Sequence, residues 1–245
     1  MLAKRIAIVG LAIVTVFTLE ALRPRWAPAA EIPLQVQGAI TLLPQGDAPP
    51  VKDASKVAVW LVPLEEPGYV PTSQSTGYEI LQRDKKFSPE LLVVPIGSMV
   101  AFPNRDPWFH NVFSLYRGKR FDLGLYQAGD TKSVRFDKPG VSYIFCNIHP
   151  QMAAVVLTVP SHYFGLTDHS GHVSIAGVPD GRYGMHVWYE NADPAALAGL
   201  VRNVTVSNED RSLPTVAIQV VPHDLRQHKN KYGRDYDPQT LAPNY

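Results

Sequence analysis

The residues best suited to chemistry lie in one short segment around the only cysteine of the chain, Cys146. His149 follows three residues later and Met152 six residues later, so a thiolate, an imidazole and a thioether share one short stretch. His110 adds a second imidazole from an upstream segment. A strand end followed by a tight loop can turn such side chains toward one point, and this spacing predicts a metal site with these four residues as ligands.

The types of these ligands narrow the choice of metal. Two imidazoles, one thiolate and one weak thioether are the donor set of a blue copper site, because thiolate and thioether suit Cu(I) while imidazole suits both oxidation states. The sequence therefore predicts one type 1 copper ion as cofactor. Zinc is a weaker alternative, since thioether is a poor zinc ligand. A buried cysteine with unrelated histidines nearby is the remaining alternative.

Composition excludes several other functions. One cysteine in 245 residues rules out an intrachain disulfide, a four-cysteine zinc site and an iron–sulfur cluster held by several cysteines. The formal net charge of +1 argues against a nucleic-acid-binding protein, which usually carries a basic stripe.

The N-terminus has the layout of an export signal. Lys4 and Arg5 precede an apolar run, Ile6–Leu19, which is shorter than the roughly 20 residues that span a bilayer. The small-residue cluster Ala27–Ala30 follows and resembles a cleavage site. We expect residues 1–30 to be a signal peptide and the protein to be periplasmic, with an uncleaved membrane anchor as the alternative.

The rest of the chain predicts β-strands. Short runs rich in Val, Ile, Phe and Tyr alternate with turn residues, and 22 prolines and 17 glycines punctuate them. This pattern predicts an all-β protein built from sandwiches, with a single helical turn near Ala195–Gly199. The predicted strands are Leu34–Leu43, Lys56–Leu64, Leu91–Val94, Ser98–Phe102, Thr131–Phe136, Val141–Cys146, Ala153–Val159, His172–Ile175, Arg182–Tyr189, Arg202–Val206 and Thr215–Val221.

Residues 78–159 resemble a cupredoxin. The resemblance is carried by Leu92–Asn104 (LVVPIGSMVAFPN), by His110-Asn111-Val112, by Pro139-Gly140 and by the Cys-x₂-His-x₂-Met loop, a short form similar to that of the amicyanin subfamily. It implies a Greek-key β-sandwich.

The resemblance also implies a role for each site residue. His110, Cys146 and His149 would be equatorial copper ligands and Met152 the axial one. Asn111 would lie in the second shell and brace the two ligand loops by hydrogen bonds. Pro150, also in the second shell, would remove a backbone donor near the metal.

A second resemblance lies further along the chain. The pattern T-D-x-x-G-x-x-x-I-x-x-V-P-x-G-x-Y over Thr167–Tyr183 resembles carboxypeptidase-regulatory-like domains, which have a transthyretin-like (prealbumin-like) sandwich. That family opens with a strand pair like those near residues 37–40 and 57–61, which lie before the cupredoxin segment. We therefore predict a discontinuous sandwich, 31–70 and 160–222, around a cupredoxin domain at 71–159, with a polar tail at 223–245. Two consecutive domains, 31–159 and 160–222, are the alternative.

The whole chain resembles exported, methylamine-utilisation-like cupredoxin proteins. We expect an electron carrier that exchanges single electrons with a redox protein such as a dehydrogenase or a cytochrome, docked at an apolar rim formed by Phe109, Phe113 and Pro150.

A copper delivery or storage protein is the alternative, although the four methionines form no Met-rich tract. A ligand-binding role for the second sandwich is a further alternative. An enzyme is not expected, because the chain has no His-x-His pair and Phe145, rather than a histidine, precedes Cys146.

Overall fold

The runs of β-branched and aromatic residues form strands in the computed structural model, which describes residues 35–65, 77–115, 118–221 and 228–236. The predicted signal peptide lies outside these residues, as does the predicted domain boundary at residues 70 and 71. The described residues belong to one compact unit. The prediction of an all-β protein is confirmed.

The elements of the described residues follow one another as strands with one short helix. Their bounds are β1 Gln35–Leu43, β2 Ala58–Pro63, β3 Tyr78–Glu79, β4 Leu81–Arg83, β5 Lys86–Ser88, β6 Leu91–Pro95, β7 Ser98–Pro103, β8 His110–Ser114, β9 Phe121–Tyr126, β10 Thr131–Phe136, β11 Gly140–Cys146, β12 Ala153–Val159, β13 Tyr163–Leu166, β14 His172–Ala176, β15 Gly181–Trp188, α1 Pro194–Ala198, β16 Arg202–Val206 and β17 Val216–Gln219.

Strands from both ends of the described chain form one sandwich, called here the terminal sandwich. One sheet has the order β14-β1-β17 and the other the order β13-β2-β15-β16. Their inner faces share one apolar core that includes Val36, Leu61, Ile175 and Met185. Strands β1 and β2 therefore pair with strands more than 100 residues away along the sequence. The domain bounds themselves stay a prediction.

The glycine of the T-D-x-x-G pattern allows a close approach within this sandwich. Gly171 has a φ of +85°, and a Cβ at this position would lie 2.2 Å from the carbonyl oxygen of Ile40. The Gly171 carbonyl accepts a hydrogen bond from the Ile40 N–H at 2.8 Å. Only glycine combines this backbone conformation with this contact.

Strands from the middle of the chain form the central sandwich. Its sheets have the orders β10-β7-β3 and β6-β12-β11-β8-β9, and the hairpin β4-β5 lies beside them. Its core includes Phe102, Phe136, Ile144 and, within the same cluster, Cys146 and Met152. Two of the metal-site residues are therefore part of the packed interior.

A third apolar cluster joins the two sandwiches. Ala58 of the terminal sandwich packs with Leu91, Val155 and Leu157 of the central one, and Trp60 and Trp188 lie against the same cluster. Since β13 begins four residues after β12 ends, the chain crosses between the sandwiches by a short connection.

No helix within the described ranges combines the length and the hydropathy that crossing a membrane requires.

Candidate metal centre

Three of the predicted ligands place their donor atoms together. The Cys146 Sγ lies 3.7 Å from the His110 Nδ1 and 3.7 Å from the His149 Nδ1, and the two Nδ1 atoms are 3.1 Å apart. All three residues are buried, and their donor atoms are close enough together to bind one metal ion.

The spacing of these donors fits a metal ion at their centre. With a metal–nitrogen bond of about 2 Å and a metal–sulfur bond of about 2.3 Å, donors arranged trigonally would be separated by about 3.5 to 3.7 Å. The two separations from the Cys146 Sγ match the upper value, and the 3.1 Å between the two Nδ1 atoms is somewhat shorter than the lower value. Two unprotonated imidazole nitrogens 3.1 Å apart would repel each other, so a cation between them removes an unfavourable contact. This donor set is typical of a type 1 copper site.

Strand register brings the ligands to one end of the central sandwich. Strands β8 and β11 are antiparallel, with Cys146 opposite Val112, so the start of β8 at His110 lies beside the end of β11 at Cys146. His149 lies in the turn that follows β11, before the chain returns as β12.

The loop from Cys146 to Met152 is closed by its own backbone. The Cys146 N–H donates to the Met152 carbonyl at 3.3 Å, and the Met152 N–H donates to the His149 carbonyl at 3.1 Å. Met152 is fully buried in the same core as Cys146. A thioether in this position suits the weak fourth ligand that the sequence predicts.

The environment of Cys146 acts on its thiol in two opposing ways. Burial raises the pKa of the thiol, while hydrogen bonds from the backbone N–H groups of Asn111, Ile148 and His149 lower it. The net direction in the metal-free protein is upward. A bound cation would reverse this balance because a coordinating thiol is deprotonated.

Asp106 sets the orientation of His110. The His110 Nε2 donates to the Asp106 Oδ2 at 2.8 Å, and both side chains are almost fully buried. Because a carboxylate only accepts, the proton is on Nε2 and the Nδ1 lone pair points toward Cys146 and His149. A carboxylate that fixes the tautomer of a ligating histidine is a common feature of metal sites.

Asp106 is itself held by the tip of the β4-β5 hairpin. It accepts the Asp84 N–H at 2.6 Å and the Lys85 N–H at 2.9 Å. Both turn residues have left-handed backbone, with φ of 55° and 53°, which aims two successive N–H groups at the carboxylate. Burial raises the pKa of Asp106, but its hydrogen bonds with Lys85, His110 and Asp84 outweigh that effect and hold the pKa below its ordinary value.

Asp106 was not among the residues predicted to form the site. The sequence does show a carboxylate four residues before the predicted ligand His110. In the structure the Asp106 N–H donates to the Oδ1 of Asn104 at 3.0 Å. The sequence contains no such signal for the hairpin tip that holds Asp106, because its N–H groups come near Asp106 only in the folded protein.

The two residues predicted in the second shell lie next to the ligands. The Asn111 backbone N–H reaches the Cys146 Sγ. Its side chain donates to the Asp122 Oδ1 at 2.6 Å, whereas we had expected it to brace the two ligand loops. The reason is register: β9 runs alongside β8 and places Asp122 within reach of Asn111. Pro150 follows His149 directly, and its carbonyl accepts a hydrogen bond from His228.

The predicted apolar rim is only partly exposed. Phe109, next to His110, is 56% exposed, whereas Phe113 is 1% exposed. The expectation for Phe113 was wrong because β8 lies between β11 and β9, and the Phe113 ring packs near the ring of Phe145. Phe113 is therefore a core residue.

The metal-free protein is expected to lose stability in mild acid. Burial, with smaller effects from His110 and Lys85, lowers the pKa of His149 from 6.5 to about 4. Between these two values the unfolded chain binds a proton at this imidazole that the native protein does not, so the free energy of unfolding falls as pH decreases. Burial lowers the pKa of His110 and His228 in the same direction.

Urea unfolding of the metal-free protein at pH 7 and pH 5 measures this effect. His149→Gln should make the pH dependence shallower, because it removes the imidazole whose pKa burial lowers. Equal stability at the two pH values would contradict the expectation.

Known structures similar to this chain cover a part of it. A purple cupredoxin from Nitrosopumilus maritimus is 25% identical, with 34% of this chain and 100% of that chain aligned at a TM-score of 0.32. Amicyanin from Paracoccus versutus is 19% identical, with 35% and 84% aligned at 0.32. A copper-containing nitrite reductase from Thermus scotoductus SA-01 is 21% identical, with 40% and 25% aligned at 0.32. No protein-family model and no curated protein matches the chain. The resemblance of the terminal sandwich to carboxypeptidase-regulatory-like domains thus stays a prediction.

Proposed function

We propose that this protein is a copper electron carrier. The observation that carries the proposal is the preformed cluster of His110 Nδ1, Cys146 Sγ and His149 Nδ1 at separations of 3.1 to 3.7 Å. Copper bound by such donors is stable as both Cu(I) and Cu(II), so it can take up one electron from a donor and pass it to an acceptor.

The surrounding residues favour transfer of electrons over conversion of a substrate. His110, Cys146 and Met152 are fully buried, and His149 is 7% exposed. A substrate would need an open coordination position, whereas an electron needs only a short path. The loop closure between Cys146 and Met152 and the Asp106–His110 hydrogen bond hold the donors in one arrangement. A fixed arrangement reduces the rearrangement that each change of oxidation state would otherwise require.

The partner in this proposal is a one-electron redox protein, such as a dehydrogenase or a cytochrome. It would dock over the edge of His149, the ligand residue with some exposure, beside the exposed ring of Phe109. An apolar contact surface next to a redox centre permits close approach without desolvating charges. We further propose a periplasmic location, which the N-terminal segment of Lys4, Arg5, an apolar run and Ala27–Ala30 supports.

Reversible redox cycling in the presence of a Cu(I) chelator tests this function. The copper-loaded protein is expected to give a reversible one-electron couple and to retain its copper over repeated cycles. Zinc-loaded protein is the control, since zinc has no accessible redox change. Transfer of copper to the chelator in each reduced phase would instead support copper delivery, the alternative function.

A further inference from the structure

A segment of the polar tail lies on the ligand loop. Residues 228–236, called here the C-terminal strap, contact the loop through three hydrogen bonds. The Tyr236 O–H donates to the Cys146 carbonyl at 2.8 Å, the His228 Nε2 donates to the Pro150 carbonyl at 2.9 Å, and the Lys231 N–H donates to the Asn147 Oδ1 at 2.9 Å. The strap is 78 to 90 positions away from these residues along the sequence.

These contacts complement the hydrogen bonds that the loop makes to itself. The loop closes internally between Cys146 and Met152 and between Met152 and His149. The strap binds other polar groups of the loop: the carbonyl of the ligand Cys146, the side chain of the next residue, and the carbonyl after the ligand His149. A loop held by both sets of bonds has fewer alternative conformations, because each bond removes backbone freedom.

The strap also connects the two ligand segments. The Lys231 Nζ pairs with the Asp122 Oδ2 at 2.7 Å, and the Asp122 Oδ1 accepts from the Asn111 side chain at 2.6 Å. Asn111 follows His110, and Lys231 bonds Asn147, which follows Cys146. The Asn111 side chain is therefore linked to the cysteine loop through Asp122 and the strap.

Aromatic packing holds the strap against the sheet. The His228 ring stacks on Phe145 with centroids 3.8 Å apart and an interplanar angle of 20°. The Tyr236 ring meets the His228 ring edge-on at 5.3 Å. Beside this contact the strap covers a cavity of about 360 Å³ lined also by Phe113 and Leu115. The strap is thus attached at a few defined contacts, and single substitutions can test it.

We propose that the C-terminal strap is a positioning element of the copper site, with Tyr236 and Lys231 as positioning residues that hold the Cys146–Met152 loop in its metal-binding conformation. The strap slows the loss of copper and keeps the thiolate in one orientation. This inference rests on the proposed function only in that the bound metal is copper.

Tyr236→Phe tests the proposal by removing the hydrogen bond to the Cys146 carbonyl while keeping the ring. The loss of one hydrogen bond predicts transfer of Cu(I) to a chelator about three- to tenfold faster. It also predicts an altered absorption and electron paramagnetic resonance spectrum of the Cu(II) protein. Lys231→Met, which removes the link to Asp122, should act in the same direction.

Tyr183→Phe is the matched control. Its O–H donates to the Pro179 carbonyl at 2.9 Å in the terminal sandwich, so the same atom is removed from a similar hydrogen bond away from the metal. This variant should keep the wild-type copper transfer rate and spectrum. If Tyr236→Phe and Lys231→Met also keep them, the strap has no positioning role.

Hydrogen exchange of the metal-free protein separates this inference from the proposed function. The loop amides at Cys146 and Met152 should exchange faster in Tyr236→Phe than in Tyr183→Phe. This result does not depend on copper or on electron transfer. Equal exchange rates in the two variants would overturn the proposal even if the protein proves to be an electron carrier.

Discussion

Replacing Cys146 by serine is expected to abolish the intense visible absorption of the copper-loaded protein. The band of such a site arises from charge transfer between the cysteine thiolate and copper, and a neutral hydroxyl cannot supply it. The Cys146 Sγ is equidistant from the two imidazole nitrogens, at 3.7 Å, so its loss leaves one corner of the donor triangle without a thiolate.

Copper affinity should fall together with the band. Loss of outer partners of metal ligands typically reduces affinity about 10- to 100-fold, and loss of a thiolate ligand should exceed this range. Visible spectroscopy and competition with a Cu(I) chelator measure the two effects.

A second variant controls for folding. Cys146 is completely buried in the core of the central sandwich, so Cys146→Ser also replaces the sulfur by a smaller oxygen at a packed site, and the lost packing contacts cost stability. Cys146→Ala avoids the hydroxyl and should lose the band equally. A copper-loaded Cys146→Ser protein that keeps the band would contradict the assigned ligand, and a wild-type protein without any such band would favour zinc.

Asp106→Ala should weaken both the fold and the copper site. The substitution removes the acceptor for three donors: the buried Nε2–H of His110 and the N–H groups of the exposed Asp84 and the half-buried Lys85. Water can replace the acceptor at the hairpin tip, whereas an unsatisfied buried donor costs about 1 to 3 kcal/mol, so we expect the free energy of unfolding to fall by about 2 kcal/mol. Copper affinity should fall about 10- to 100-fold, because the His110 ring loses the partner that fixes its tautomer.

Two further variants separate these effects. Asp106→Asn keeps the volume and one oxygen, and should give intermediate copper affinity. Asp168→Ala removes a carboxylate that accepts the N–H groups of Ser170 and His172 in the terminal sandwich, so it should change copper affinity little. Equal copper affinity of Asp106→Ala and Asp168→Ala would show that Asp106 does not orient His110 for copper binding.

Much of the fold was predictable because its signals are local. Alternation of apolar and polar residues predicted β10, and a run of apolar residues predicted β12, both at their observed bounds; β1 and β2 were predicted within two residues at each end. Strands β3, β4, β5, β8, β9 and β13 were not predicted. The first three have only two or three residues each, β8 carries three polar residues in five, and β9 has a single buried residue, Tyr126.

Some features of the candidate site were likewise predictable from local sequence, and others were not. Cys146, His149 and Met152 occupy one loop, and their chemistry depends on spacing that the sequence displays. The nearness of His110 to this loop depends on the pairing of β8 with β11, which no local pattern specifies. The hydrogen-bond partner of the Asn111 side chain was not predictable from local sequence, because Asp122 lies on a strand that was not predicted.

The sequence by itself determined the donor types, the copper they favour and the all-β class, since ligand chemistry and strand periodicity depend on residues close together in the chain. Only the tertiary structure decided how the site is held. Asp106 receives its backbone donors from a separate hairpin, and the strap at residues 228–236 reaches Cys146, Asn147 and Pro150 across 78 to 90 positions of sequence. Such contacts are selected by packing and by the satisfaction of buried polar groups, which act between segments brought together only when the chain folds.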